Sequence, residues 1–118
     1  MKDKQTLMYW FDVAPVDEFK PGQAKLVDAD DVMIAVYNLN GEIYALEDNC
    51  SHHDVPILGC GLTMQELVEG EQLICPRHGA RFDIKTGKAL TPPAFDDVAT
   101  FPVRVENGMI QVRDNRQD

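Results

Sequence analysis

The sequence predicts a small all-β domain with one short helical insert. Three observations predict it: two Asn-Gly turns set between apolar runs, a further pair of short strand-like runs, and a length that suits one fold. Val32-Met33-Ile34-Ala35-Val36-Tyr37 is rich in apolar and β-branched residues, and Asn40-Gly41 separates it from Ile43-Tyr44-Ala45-Leu46. A two-residue hairpin turn needs positive φ at both central positions, which Asn and Gly tolerate best. The same grammar returns near the far end, where Phe101-Pro102-Val103-Arg104-Val105 alternates, Asn107-Gly108 turns, and Met109-Ile110-Gln111-Val112-Arg113 alternates back. Gln72-Leu73-Ile74-Cys75 and Arg81-Phe82-Asp83-Ile84 read as two more short strands, the second closed by Thr86-Gly87. The chain has 118 residues, enough for one domain and too few for two independent cores.

One segment departs from the strand grammar. Thr63-Met64-Gln65-Glu66 fits a capping box, in which the first and fourth residues cap each other's backbone N–H groups, so a helical turn or two is expected over residues 63–69. Pro21-Gly22 and Pro92-Pro93 mark loops, since proline cannot donate to a sheet ladder. No internal repeat, low-complexity tract or linker is visible, so residues 1–118 read as a single domain.

Composition narrows the function. Twenty acidic residues against 11 basic ones give a net charge of -9. Such a field repels phosphate backbones and anionic headgroups, which removes nucleic acid and membrane surfaces as partners and favours a protein with a basic docking face. No apolar run approaches the roughly 20 residues that cross a bilayer. Met1-Lys2-Asp3-Lys4-Gln5-Thr6 is followed by no apolar stretch of the secretory kind, so the expected location is the cytoplasm. Cys50, Cys60 and Cys75 are an odd and sparse set, wrong for a disulfide framework and suited to reduced thiols or metal ligands.

The chemistry concentrates in Cys50-Ser51-His52 and Cys75-Pro76-Arg77-His78, with 22 residues between His52 and Cys75. Each segment offers one thiolate and one imidazole. On an extended loop, positions i and i+2 point to the same side, so Cys50 and His52 can address one site. Pro76 keeps the second segment out of a regular ladder, and Gly79 permits a positive-φ backbone just after His78. Two such loops brought together supply two sulfurs and two nitrogens. A single tetrahedral zinc is one occupant of such a set. Zinc fingers, however, group a Cys pair and then a His pair on a ββα unit, whereas each loop here is mixed and strands flank both. The mixed arrangement suits a [2Fe–2S] centre in which two Cys hold one iron and two His the other.

At these residues the chain resembles the Rieske ferredoxin family, over residues 8–112. Cys50-Ser51-His52 and Cys75-Pro76-Arg77-His78-Gly79 match the two ligand loops. Asn40-Gly41-Glu42-Ile43-Tyr44-Ala45-Leu46, Phe82-Asp83-Ile84 and Thr86-Gly87 resemble the family's flanks, and Pro92-Pro93 sits where the family places a proline loop over the cluster. The resemblance implies a Rieske-type fold of stacked antiparallel sheets, with a basal part from residues 8–46 and 84–112 and a cluster-binding part, residues 47–83, inserted between them. It implies one [2Fe–2S] cluster per chain, with Cys50 and Cys75 on the buried ferric iron and His52 and His78 on the outer, reducible iron. It implies a monomeric electron carrier that is loaded by a ferredoxin reductase and delivers single electrons to a terminal non-haem-iron oxygenase, one that attacks aromatic rings.

Departures from the family pattern sharpen this expectation. The interval between the loops is longer than in small Rieske ferredoxins, and the surplus coincides with residues 63–69. High-potential members carry a second cysteine in each loop, joined as a disulfide; Val55 and Arg77 stand in those places. They also carry a serine and a tyrosine hydroxyl that donate hydrogen bonds to sulfur, where this chain has Ala80 and Phe82. Fewer donors leave more electron density on the sulfurs and disfavour reduction, so a potential of about -150 mV is expected, at the low end for such centres.

The remaining residues have plainer readings. His53 faces away from the Cys50/His52 direction and is expected to be an exposed neighbour. Cys60 is expected to pack as a small hydrophobe. Asp54 and Arg77 flank the loops, Arg77 as a docking contact or a solvated charge. Asp28, Asp30, Asp31, Asp96 and Asp97 read as solvated loops, and Trp10, Phe11 and Tyr44 as core. The chain has three histidines; with two committed to the cluster, no mononuclear iron site with two histidines and a carboxylate can be assembled. No Ser-His-Asp set, phosphate-cradling glycine loop or carboxylate pair emerges, so the chain is expected to be no enzyme by itself. Two other readings remain open: a small permanent subunit of a nitrite reductase-like redox enzyme, and a redox-silent zinc-binding interaction module.

Overall fold

Among the described residues the chain folds into three antiparallel sheets, and the middle one is covered on both faces. The computed structural model describes residues 9–30, 32–49, 56–76, 79–91 and 96–116, apart from the side chain of Cys60. The strands are β1 (Phe11–Pro15), β2 (Ala24–Asp28), β3 (Met33–Leu39), β4 (Glu42–Glu47), β5 (Val68–Glu69), β6 (Gln72–Ile74), β7 (Arg81–Asp83), β8 (Thr100–Phe101), β9 (Val103–Glu106) and β10 (Met109–Val112). A 3₁₀ turn spans Leu58–Cys60 and one short helix, α1, spans Met64–Leu67. The middle sheet has the order β2-β3-β4-β8, the first outer sheet β1-β10-β9 and the second outer sheet β5-β6-β7.

The continuous apolar run of β3 follows from this layering. Side chains alternate across a strand, and here both directions are covered. Ala35, Tyr37 and Leu39 enter one core with Leu46, Ile57, Leu67, Leu73, Phe82 and Ile84, whereas Ile34 and Val36 enter the other with Val13, Phe19, Ala45, Phe101, Ile110 and Val112. Two apolar clusters therefore exist, but they share β3 and β4 and are not independent. Each fully buried Leu, Ile or Phe contributes about 1.5–3 kcal/mol relative to an exposed one.

Both Asn-Gly turns form as expected. Asn40 and Gly41 have φ of 56° and 95°, and Asn107 and Gly108 have 52° and 79°, the positive values that a type I′ hairpin needs. They set the registers Leu39↔Glu42 and Glu106↔Met109. The buried Asn38 fastens the first turn, because its Oδ1 accepts the Gly41 N–H at 2.8 Å and its Nδ2 donates to the Phe19 carbonyl at 2.8 Å.

Four expectations are corrected. The run Phe101-Pro102-Val103-Arg104-Val105 is two strands: Phe101 pairs with Ala45 in the middle sheet, while Val103 pairs with Val112 in the outer one. Pro102, which has no N–H to give to a ladder, stands at the crossing. The helical insert is shorter than residues 63–69, since Val68 is already extended (φ -119°, ψ 131°) and pairs with Leu73. The Glu66 carboxylate accepts the Thr63 N–H at 2.9 Å and the Thr63 hydroxyl at 3.0 Å, which holds its pKa below the ordinary carboxylate value. Trp10, Phe11 and Tyr44 are only partly buried, Phe11 and Tyr44 packing against the margins of the two cores; among the described residues the buried aromatic side chains are Phe19, Tyr37, Phe82 and Phe101. Arg104 lies over the Trp10 ring at 4.3 Å, and the Tyr44 hydroxyl donates to Glu42 at 2.7 Å, which raises its pKa. The fourth correction concerns Asp97, which is bonded to the loop described below and is not merely solvated.

Candidate metal centre

Cys75 stands where the β6–β7 hairpin stops being a ladder. The last paired residues are Ile74 and Arg81. Beyond them the Cys75 N–H donates to the Ala80 carbonyl at 2.8 Å, and the Gly79 N–H donates back to the Cys75 carbonyl at 3.0 Å. Gly79 has φ of 75°, a left-handed conformation that glycine adopts without the penalty of a Cβ. This local closure folds the chain over itself within six residues. The Cys75 side chain is 1% exposed and packs in the same core as Leu73, Ala80 and Phe82. It is a buried thiol in no disulfide.

The segment that carries the other proposed thiolate is tied at both of its described ends. The Asp48 N–H continues the β3–β4 ladder by donating to the Met33 carbonyl at 2.9 Å. Its carboxylate reaches across to the far side of the loop. Oδ1 accepts the Ile57 N–H at 3.1 Å and the Leu58 N–H at 2.6 Å, and Oδ2 accepts the Gly59 N–H at 2.8 Å. Ile57 is fully buried in the core that also holds Cys75, so the far end of the first loop and the start of the second are anchored in one apolar cluster.

A third segment is tied beside them. The Leu90 N–H donates to the Arg81 carbonyl at 2.8 Å, and the Arg81 N–H donates to the Thr91 hydroxyl at 3.0 Å. The Ala89 N–H donates to Asp97 Oδ1 at 2.8 Å, so Asp97 ties the segment that leads into β8 to the start of the loop. The Arg81 guanidinium meets Glu69 at 2.7 Å and Gln72 at 3.0 Å. Gly87 closes the base: its φ is 76°, and an added Cβ would lie 2.1 Å from the Val98 carbonyl oxygen.

Of the four proposed ligands, the structure describes Cys75. Cys50, His52 and His78 lie outside the described residues, as do His53, Asp54, Val55, Arg77 and Pro92-Pro93. Among the described residues, accordingly, no group of three or more His, Cys, Asp or Glu gathers into a metal site. The chemistry of the donor set fits a cluster held by two thiolates and two imidazoles, and the one described donor is a buried thiol at a hairpin end, as that use requires. Ala80 and Phe82 are both buried beside it and offer no hydroxyl. Sequence reasoning passed over Asp48 and Thr91 and assigned Asp97 to solvent. The partners of all three are backbone N–H groups, which leave no side-chain motif; the position of Asp48 two residues before Cys50 was the available signal.

The comparisons with known proteins agree with this arrangement. Residues 9–102 match the family model described as the Rieske [2Fe-2S] domain, and the chain belongs to that family. Its cofactor is accordingly a [2Fe–2S] cluster. The chain is 36% identical over 104 residues to the ferredoxin component of the naphthalene 1,2-dioxygenase/salicylate 5-hydroxylase systems of Ralstonia sp, covering 88% of this chain and 94% of that protein. It is 43% identical over 96 residues to the 3-phenylpropionate/cinnamic acid dioxygenase ferredoxin subunit of Escherichia coli (strain K12), covering 81% and 85%. Among solved structures it resembles the ferredoxin of carbazole 1,9a-dioxygenase from Nocardioides aromaticivorans, with a TM-score of 0.73, 29% identity, and coverage of 88% of this chain and 96% of that one. It also resembles a chain in a complex of reduced oxygenase and oxidised ferredoxin of carbazole 1,9a-dioxygenase, with a TM-score of 0.75, 28% identity and coverage of 88% and 92%. These relatives are electron carriers, and this chain is a ferredoxin of the same kind and not an enzyme by itself. No described helix is long and apolar enough to cross a membrane.

Proposed function

We propose that this chain is the ferredoxin component of an aromatic-ring dioxygenase system, taking single electrons from a ferredoxin reductase and passing them to a terminal non-haem-iron oxygenase. The observation that carries the reading is the near-full-length match to ferredoxin components of such systems, together with the buried Cys75 at the mouth of the β6–β7 hairpin. Cys50 and Cys75 hold one iron and His52 and His78 the other; the bound cluster supplies a one-electron couple. Residues 47–83 form the cluster-binding part and residues 8–46 with 84–112 the basal part. That division is supported by the second outer sheet, whose strands all fall between Val68 and Asp83. The chain acts as a monomer in the cytoplasm, and its net charge of -9 suits transient docking on basic partner surfaces.

Each described residue has a definable part in this work. Cys75 supplies a thiolate from a buried position, where water has no access to the sulfur. The Gly79 turn returns the chain to the Cys75 backbone, which fixes the position from which that thiolate is offered. Ala80 and Phe82 withhold the hydroxyl donors that would ease reduction. The test is the absorption and low-temperature EPR of the purified protein, oxidised and after dithionite. A rhombic signal in the reduced protein, with average g below the free-electron value, is expected, and it should be abolished in His52→Cys and His78→Cys. A colourless protein with one zinc would overturn the reading, and an unchanged signal in either variant would remove that histidine from the ligand set.

A further inference from the structure

We propose that Asp48 is the positioning residue of the first ligand loop: its carboxylate, accepting the N–H groups of Ile57, Leu58 and Gly59, fixes the span that carries Cys50 and His52 and so sets the electronic environment and the lifetime of the bound cluster. This deepens the proposed function and rests on its assignment of Cys50 and His52 as ligands.

The geometry is specific. Asp48 is 8% exposed, and a carboxylate is seldom buried unless its lone pairs are occupied. Here both oxygens are used, at 3.1, 2.6 and 2.8 Å, and hydrogen bonds to a charged acceptor are about twice as strong as neutral ones. The backbone of Asp48 is bound to Met33 of β3, so the carboxylate links the rigid middle sheet to the far side of the loop. Ile57, at the receiving end, is fully buried. Among the described residues, the Asp48 side chain joins the two ends of the loop. The room around the carboxylate is also limited, since a Cβ added at Gly59 would meet Asp48 Oδ2 at 3.0 Å and Pro56 Cβ at 3.1 Å. No positive φ constrains Gly59, so this position is kept small by the carboxylate and Pro56, not by backbone conformation.

The test uses the whole holoprotein and two variants. Asp48→Asn keeps the shape but loses the charge and presents an NH₂ to N–H donors. Gly59→Ala keeps the carboxylate and pushes on it. In Asp48→Asn the visible absorbance should bleach about tenfold faster at fixed temperature, a factor equivalent to about 1.4 kcal/mol. The rhombic g values should move, and the midpoint potential should rise because a fixed negative charge has gone. Gly59→Ala should move the g values and hasten bleaching by a smaller factor, and it decides the matter alone if Asp48→Asn does not fold. Thr63→Ala, which weakens the neighbouring helix without touching the carboxylate, should leave g values and potential unmoved. Variants that are less stable yet keep wild-type g values and potential would reduce Asp48 to an ordinary fold contact and overturn the proposal. A wild-type protein without the rhombic signal would instead overturn the ligand reading on which it stands.

Discussion

The two faces of the middle sheet are covered in different ways. On the face toward β1, β10 and β9, the contacts are apolar side chains such as Val13, Ile110 and Val112 packed on Ile34 and Val36, and the strands β9 and β10 are joined by a two-residue turn. On the face toward β5, β6 and β7 a comparable apolar layer exists, with Leu73, Phe82 and Ile84, but the chain between its elements runs through longer loops. Those loops are held by side chains that accept backbone N–H groups: Asp48 for Ile57, Leu58 and Gly59, Thr91 for Arg81, and Asp97 for Ala89. The lesson is that a tight turn continues its own ladder and needs the right φ angles and at most one cap, such as Asn38 at Gly41, whereas a loop that must present ligands has no ladder of its own. Its unpaired N–H groups have to be met one at a time.

This contrast can be broken most forcefully in the two cores. Phe82→Ala should cost about 3–5 kcal/mol and Ile110→Ala about 2–5 kcal/mol, measured by denaturant unfolding. Only the first should also hasten cluster bleaching under native conditions, since Phe82 shares a core with Cys75 and Ile110 does not. Equal bleaching in both would erase the distinction between the faces. Next in size is Gly87→Ala. With φ at 76° and the Val98 carbonyl 2.1 Å from the added Cβ, the backbone must shift, at about 1–3 kcal/mol; a change within 0.5 kcal/mol in the unfolding midpoint would show that the loop base yields freely.

A smaller effect separates loop from core. Asp97→Ala leaves the Ala89 N–H without its acceptor and should cost about 1 kcal/mol, with faster amide exchange at Ala89 as the direct sign. The smallest effect concerns α1. The Glu66 pKa is lowered by its hydrogen bonds to the Thr63 backbone and hydroxyl, so its contribution is present above the unfolded carboxylate value and lost as pH falls through the folded one. The difference in amide exchange of Leu67 between wild type and Glu66→Gln should therefore be seen at neutral pH and vanish under acid conditions. A difference that grew on acidification would reverse the assignment.

The legibility of the fold in the sequence follows the same divide. The hairpins at Asn40-Gly41 and Asn107-Gly108 were readable because turn chemistry is local and residue-specific. β1 and β2 were not read. Phe11–Pro15 ends in a proline and contains an aspartate, and Ala24–Asp28 has a lysine and an aspartate among its five residues; β1 is a strand because the distant β10 holds it, and β2 because the neighbouring apolar β3 gives it a full ladder. The break at Pro102 was hidden for the opposite reason, since apolar alternation continues across the point where the chain changes sheets. At the site, the Cys and His spacing pointed to the kind of centre, while the residues that tie its loops in place left little trace beyond the closeness of Asp48 to Cys50, because their partners are main-chain N–H groups common to every residue type.

The pairing of β1 with β10 has a consequence for how the molecule comes together. Phe11 lies opposite Val112, and Gln111 donates to Asp12 at 2.7 Å across 99 positions of sequence. During synthesis β2, β3 and β4 can pair as soon as they emerge, for their contacts are close in sequence. β1, made earlier than any of them, has no ladder partner until β10 has been translated. The first strand is therefore among the last to be secured, and the closing of the outer sheet carries the long-range search that slows folding in β proteins. A nascent chain at that stage exposes one bare face of the middle sheet, with Ile34 and Val36 uncovered, and this face is where premature association between chains would begin.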